Sequence, residues 1–274
     1  MLGNAVLKFF AQSPGYQTFG SVRSSSSLSL LPKNLRANII AGVDMENADS
    51  LTSLFGKVHP DVVINCVGLV KQLAKADEPL SAIPINAMLP HRLARLCEVA
   101  GARLVHMSTD CVFAGTKGMY KEADASDAYD LYGRSKYLGE VDYPHAITLR
   151  TSTIGHELQS KFGLLDWFLS QGASCKGYTR AIFSGLPTVV FAQIVRDVVI
   201  PHKELSGLYH VAAQPISKFN LLKLIADVYG KSINIEPDDT LVVDRSLDAT
   251  RFFRATGYVA PAWPELIKAM HAYQ

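Results

Sequence analysis

Leu104-Val105-His106-Met107-Ser108-Thr109-Asp110, followed after a Gly-containing loop by Tyr132-Gly133-Arg134-Ser135-Lys136, is the stretch that decides the fold. The first part is an apolar run closed by polar residues, and it reads as a buried strand ending at Thr109. The second has helical character, so Tyr132 and Lys136, at i and i+4, share one helix face. An ammonium beside a phenol favours the phenolate. Lys136 is therefore expected to lower a tyrosine pKa that is otherwise about 10. Such a tyrosine exchanges a proton with a substrate oxygen near neutral pH, and Thr109 at the strand end holds that oxygen by a hydrogen bond. Tyr-x-x-x-Lys alone is a weak signal, because the two residues fall four apart on many solvated helices. The hydroxyl at the end of the preceding strand gives it weight.

Outward from this stretch, strands and helices alternate. The chain opens into a helix, with Leu2, Val6, Phe9 and Phe10 at helical spacing. Residues 16–22, 38–43, 61–65, 145–150 and 208–211 read as strands, and 49–58 and 90–100 as helices. This alternation predicts an α/β fold, a Rossmann-type doubly wound parallel sheet with a smaller C-terminal α/β lobe. Residues 1–155 and a return helix at 189–200 form the dinucleotide-binding unit; 156–188 and 201–274 form the substrate lobe.

In such a sheet, ligands lie beyond the C-terminal ends of the strands. Arg23 and Ser24 follow the strand at 16–22. An acidic residue there would accept a ribose 2′-hydroxyl and select NAD. Arg23 offers a fork of donors to a 2′-phosphate and favours NADP, an ordinary surface arginine being the plain alternative. Cys66-Val67-Gly68 puts small residues at a strand end, where a cofactor can approach the backbone, or Gly68 simply makes a turn. Arg180, in segments read as loops (177–180 and 183–188), is suited to a diphosphate or to a structural ion pair. His106 is expected to be a satisfied core histidine. Asn86 is expected to make a structural hydrogen bond or hold a water.

Composition narrows the classes. Over 274 residues the net charge is +2, too small to imply nucleic acid or an anionic membrane. No run approaches the roughly 20 apolar residues of a membrane span, and no basic leader precedes a cleavage pattern. Cys66, Cys97, Cys111 and Cys175 lack Cys-x-x-Cys spacing, so reduced thiols in a cytoplasmic protein are expected. Glu122, Asp124, Asp127 and Asp130 lie in a loop and are expected to be solvated; no metal is expected. Neither His-x-x-x-His nor Gly-x-Ser-x-Gly occurs near any histidine.

The pattern resembles the extended short-chain dehydrogenase/reductases, and among them the dTDP-4-dehydrorhamnose reductase group of nucleotide-sugar reductases. Carrying the resemblance are Ser108-Thr109-Asp110-Cys111-Val112-Phe113, Tyr132 through Glu140, Leu149-Arg150-Thr151-Ser152, Gly185-Leu186-Pro187-Thr188 and Gly207-Leu208-Tyr209-His210-Val211. It implies that Thr109, Tyr132 and Lys136 are catalytic, with Tyr132 and Lys136 also in the cofactor site and Lys136 holding the nicotinamide ribose. Met1-Leu2-Gly3 match the end of a Gly-x-x-Gly-x-x-Gly turn over the pyrophosphate, and Asp44-Met45 match the adenine-binding position. Asp110, Thr153 and Arg180 would meet the substrate, Tyr120 and Glu122 would frame its pocket, and Arg245 to Asp248 would seat the C-terminal lobe.

Two departures stand out. Thr153 stands where the group tends to carry a tryptophan that stacks on sugar, which leaves the sugar open. The first strand and the first two glycines of the turn are absent from this sequence. Two strands are therefore expected to lose ladder partners, and the natural reading frame is expected to begin upstream. The activity implied is NADPH-dependent reduction of a 4-keto nucleotide-linked deoxysugar, with NAD less favoured. The alternatives are a catalytically idle subunit that binds NADP or a nucleotide sugar, and an NAD(P)-dependent sugar epimerase. Dehydratases usually carry Asp-Glu after the hydroxyl residue, whereas Asp110-Cys111 lacks the glutamate. Pairing of two copies through helices is also expected.

Overall fold

The structure, a computed structural model, describes residues 1–70 and 77–273. Its helices in chain order are α1 (Leu2–Ala11), α2 (Ala48–Val58), α3 (Pro79–Ala82), α4 (Leu89–Ala100), α5 (Leu131–Leu138), α6 (Leu164–Ser170), α7 (Thr188–Ile194), α8 (Lys218–Tyr229), α9 (Thr250–Thr256) and α10 (Trp263–Ala272). The strands are β1 (Gly20–Val22), β2 (Ile39–Ala41), β3 (Val62–Asn65), β4 (Arg103–Thr109), β5 (Ala146–Thr151), β6 (Thr153–Ile154), β7 (Ser174–Tyr178), β8 (Ala181–Phe183), β9 (Leu186–Pro187), β10 (Gly207–His210), β11 (Ile216–Ser217), β12 (Asn234–Asp238) and β13 (Val243–Asp244). No helix among the described residues is long and apolar enough to cross a membrane.

Local chemistry sets the helix ends. Asn47 opens α2 by accepting the Ser50 N–H at 2.9 Å. At the other end of α4, Gly101 takes a left-handed φ of 68° and the Ala102 N–H bonds back to the Cys97 carbonyl. A π-helical turn at Ile83–Met88 joins α3 to α4 and carries Asn86.

Strands β10-β5-β4-β3 form a parallel sheet in that order. Side chains alternate across it. Val105, Met107, Ile147 and Leu149 enter a core shared with Phe10 of α1, Phe191 of α7, Leu222 of α8 and Leu266 of α10. Leu104 and Ala146 enter a second core with Leu51 and Phe55 of α2 and Leu93 and Cys97 of α4. Helices thus cover both faces, and each fully buried Leu or Phe contributes about 1.5–3 kcal/mol.

Strands β1 and β2 form a separate parallel pair. Among the described residues β1 pairs only with β2 and β3 only with β4, so the ladder is interrupted between β1 and β3. Both β1 and β2 are also shorter than the sequence runs 16–22 and 38–43 suggest.

Two segments differ from the sequence reading. Gly207–His210, assigned above to the substrate lobe, pairs with Ile147–Arg150 and extends the main sheet. Segments 177–180 and 183–188, read as loops, contain the end of β7, part of β8 and all of β9. Their partners β12, β11, β13 and β6 lie far off in sequence, so no local pattern reveals them.

Candidate active site

Strand β4 delivers Thr109 to the C-terminal edge of the sheet, and α5 lies across it. The Asp130 carboxylate opens α5 by accepting the Gly133 N–H at 2.7 Å. Two glycines permit the close fit. A Cβ on Gly133 would strike the Cys111 carbonyl oxygen, and one on Gly139 would strike that of Asn86. The Tyr132 phenol lies beside the Thr109 hydroxyl, close enough for that hydroxyl to lower its proton affinity. Lys136 Nζ donates to the Met107 carbonyl at 2.6 Å. Thr109 Oγ1 also accepts the Cys111 N–H and donates to Asp110 Oδ1, each at 3.1 Å. The structure therefore brings Thr109, Tyr132, Lys136 and Asp110 together on the last residues of β4.

The electrostatics differ from the expectation for Tyr132. Burial pushes its phenol well above the ordinary value, the neighbouring Cys111 adds to this, and the nearby Thr109 hydroxyl opposes it. The Lys136 ammonium is directed to the Met107 carbonyl instead of favouring a phenolate. Burial pushes Lys136 itself down to about 8, against Glu140 and Cys66. Burial raises the Asp110 carboxyl, with Arg245 the largest opposing charge and Lys218 a smaller one. The Cys66 and Cys111 thiols are pushed up to about 12, again chiefly by burial, which leaves them inert as nucleophiles near neutral pH.

The loop at 113–130 is tightly built. Tyr120 stacks on Phe113 with ring centres 4.1 Å apart, and its hydroxyl accepts the N–H groups of Gly115, Thr116 and Lys117 at 3.1–3.2 Å. The loop carboxylates are engaged rather than simply solvated. Glu122 accepts the His210 N–H, Asp124 holds Lys117 Nζ and the Lys121 N–H, and Asp127 accepts the Ala114 N–H. From the C-terminal lobe, Arg245 Nε donates to the Phe113 carbonyl, and the Ser246 hydroxyl accepts the Met119 N–H.

The residues expected to meet a dinucleotide lie at the start of α1 and at the ends of β1, β2 and β3. The α1 first turn holds no acidic residue, and a Cβ on Gly3 would sit 3.5 Å from that of Cys66. Arg23 and Ser24 are exposed, and among the described residues Arg23 makes no ion pair; Ser24 Oγ accepts the Ser26 N–H. Asp44 accepts the Glu46 N–H, while Met45 packs against the second core. Asn86 pins the segment after Gly68, accepting the Leu69 N–H and donating to the Leu69 carbonyl and to Ser135 Oγ. Exposed donors, a helix start free of acid and small residues suit an anionic dinucleotide. Thr153 is half-buried in β6; Arg180 is exposed between β7 and β8, and the structural ion pair considered for it is not seen among the described residues.

His106 departs from the satisfied core histidine expected. Asn65 Oδ1 accepts the Val67 N–H, so Asn65 Nδ2 donates to His106 Nδ1 at 3.1 Å. The hydrogen is then on Nε2, which is buried and without a partner among the described residues. Sequence reasoning also gave no role to Glu140, Arg150 and His210, which join Ser108 in a buried network. The signal was an arginine inside the apolar strand Ala146–Thr151.

Residues 2–255 match the family described as the RmlD substrate binding domain. A dTDP-4-dehydrorhamnose reductase of Aggregatibacter actinomycetemcomitans is 27% identical over 93% of this chain and 96% of that protein. A probable low-salt glycan biosynthesis reductase of Haloferax volcanii is 27% identical over 78% of this chain and 72% of that one. Among solved structures, a dTDP-4-dehydrorhamnose reductase from Bacillus anthracis, in complex with NADP, superimposes with a TM-score of 0.75 at 19% identity, covering 93% of this chain and 98% of that chain. By the match over nearly its whole length, together with the Thr109, Tyr132 and Lys136 geometry, the chain belongs to the RmlD substrate-binding-domain family of extended short-chain dehydrogenase/reductases.

Proposed function

We propose that this chain reduces the 4-keto group of a nucleotide-linked deoxysugar with NADPH. The observation that carries the reading is the convergence of the Thr109 hydroxyl, the Tyr132 phenol and the Lys136 side chain on the end of β4. Met1-Leu2-Gly3 and Cys66-Val67-Gly68 would border the pyrophosphate, Arg23 and Ser24 the 2′-phosphate, Asp44-Met45 the adenine, and Lys136 the nicotinamide ribose. When bound, NADPH supplies the hydride. Tyr132 gives its proton to the carbonyl oxygen as that oxygen gains negative charge, and burial keeps the phenol protonated for this step. The Thr109 hydroxyl, turned from Asp110, orients the same oxygen. Asp110, Thr153 and Arg180 meet the sugar nucleotide.

Oxidation of NADPH in the presence of a dTDP-4-keto-6-deoxysugar, with mass analysis of the product, tests this. Consumption of NADPH and a product with a reduced C4 are expected. NADPH binding without turnover on any 4-keto nucleotide sugar would establish an idle binding subunit instead. A homodimer is part of the same reading, with Leu80 of α3 and Leu138 of α5, 88% and 60% exposed, at its surface. Sedimentation equilibrium is expected to give twice the chain mass; a monomer would remove this element.

A further inference from the structure

We propose that Glu140 is a positioning residue for the reduction. Its carboxylate fixes the end of α5 against β4 and β5 and ties it, through Arg150 and His210, to the loop over the site. The inference rests on the reading that Thr109, Tyr132 and Lys136 carry the chemistry.

Glu140 stands one helical turn beyond Lys136, just past Gly139. Its side chain is 9% exposed and that of Arg150 is 2% exposed. Oε1 accepts from Ser108 Oγ at 2.6 Å and from Arg150 Nε at 2.7 Å, and Oε2 accepts from Arg150 Nη2 at 2.6 Å. Ser108 and Arg150 are direct partners in the β4–β5 register. One carboxylate thus locks a helix end to two adjacent strands, one residue before Thr109. A two-pronged arginine–carboxylate pair fixes orientation as well as distance. Pairs buried this deeply are commonly no more stable than apolar replacements, so fixed geometry is the better account of this one.

The lock extends to the loop. Arg150 Nη1 donates to His210 Nε2 at 3.2 Å, so His210 carries its hydrogen on Nδ1, which donates to the Tyr120 carbonyl at 3.0 Å. Burial, with Arg150 next, holds His210 down to about 3, so the ring is neutral throughout the working range. Tyr120 is the hub of the loop at 113–130. A shift of Glu140 therefore reaches both Thr109 and the residues around the substrate.

Lys136 faces Glu140 just beyond α5, Cys66 just beyond β3, and His106 and the Met107 carbonyl on β4. The Cys66 thiol and the His106 ring are both held neutral by burial. Glu140 is the carboxylate that supports the ammonium.

The test compares the full chain with Glu140→Gln, which keeps the shape and removes the charge, and with Glu140→Gln combined with Arg150→Met, which also removes the stranded cation. Glu140→Gln is expected to lower kcat at least about tenfold with little change in KM, and to move the alkaline limb of kcat to lower pH. Thermal stability falls with the single change, because Arg150 is left buried and unpaired, and is regained in the double variant while kcat and its limb stay altered. A second readout needs no turnover. Folded Lys136 releases its proton near 8 and unfolded lysine near 10.5. The unfolded chain holds more protons across that window, so stability relative to Lys136→Met rises with pH there. In Glu140→Gln that rise begins at lower pH. Recovery of both stability and the wild-type kcat profile in the double variant would overturn the proposal, as would an unmoved stability window. A wild type without turnover whose window still moves would overturn the reduction while supporting the hold of Glu140 on Lys136.

Discussion

The two ends of the sheet are built to different standards. Around β4, β5 and α5, Ser108, Thr109, Asp110 and Lys136 are each hydrogen-bonded, and Lys136, Thr109, Ser108 and Arg150 are all buried. At β1 and β2, three-residue strands pair only with each other among the described residues, and Arg23, Ser24 and Asp44 stand exposed. The difference teaches that the half carrying Thr109, Tyr132 and Lys136 is held in place by its own packing. The strands on the half expected to meet adenosine bury none of their residues fully, so this half is expected to open more readily.

Tyr132→Phe probes the preorganised half with the largest effect. It is expected to lower kcat by roughly 10²–10⁴-fold, while NADPH affinity by fluorescence titration stays near wild type. Near-normal turnover would show that this well-packed corner is not where the proton comes from.

Arg23→Ala probes the other half. Hydrogen bonds to a charged group are worth about 1.5–3 kcal/mol. NADPH affinity is therefore expected to fall roughly tenfold to a hundredfold, with NADH affinity unchanged. An equal loss for both cofactors would remove Arg23 from the 2′-phosphate.

A pair of glycines compares the two regions in stability alone. Gly139→Ala forces a Cβ into the Asn86 carbonyl and is expected to cost about 1–3 kcal/mol by urea unfolding. Gly42→Ala, at φ 77° with open space around it, is expected to cost about 1–2 kcal/mol from backbone conformation alone. A larger loss at Gly42 would reverse the ranking of the two regions.

The smallest effect is on pH. With Lys136 pushed down to about 8, its ammonium is present below that pH and lost above it. Turnover is expected to be about halved near pH 8 and to keep falling as pH rises. A rate that stays flat past pH 9 would mean that the charge on Lys136 is not needed.

Alternation of strand and helix, the helical spacing at Leu2, Val6, Phe9 and Phe10, and the placement of Thr109 before Tyr132 and Lys136 were all legible in the sequence, because each rests on contacts or periodicities a few residues long. The missing ladder between β1 and β3 was legible too, since it follows from which strands the chain contains. Strands β7 to β9 were not. Their partners arrive from thirty or more residues away, and a short strand without local periodicity looks like a loop. Strand β10 was recognised but placed in the wrong unit, because pairing with Ile147–Arg150 is a choice among sheets that no local signal encodes.

Charge was the least legible property. The sequence alone determined that a phenol and an ammonium share a helix face and that a hydroxyl ends the strand beside them. Only the tertiary structure decided that the ammonium turns to the Met107 carbonyl and the phenol stays high, and that Arg150 inside an apolar strand finds Glu140. Proton affinity depends on desolvation and on neighbours brought in from other elements, and a linear order of residues contains neither.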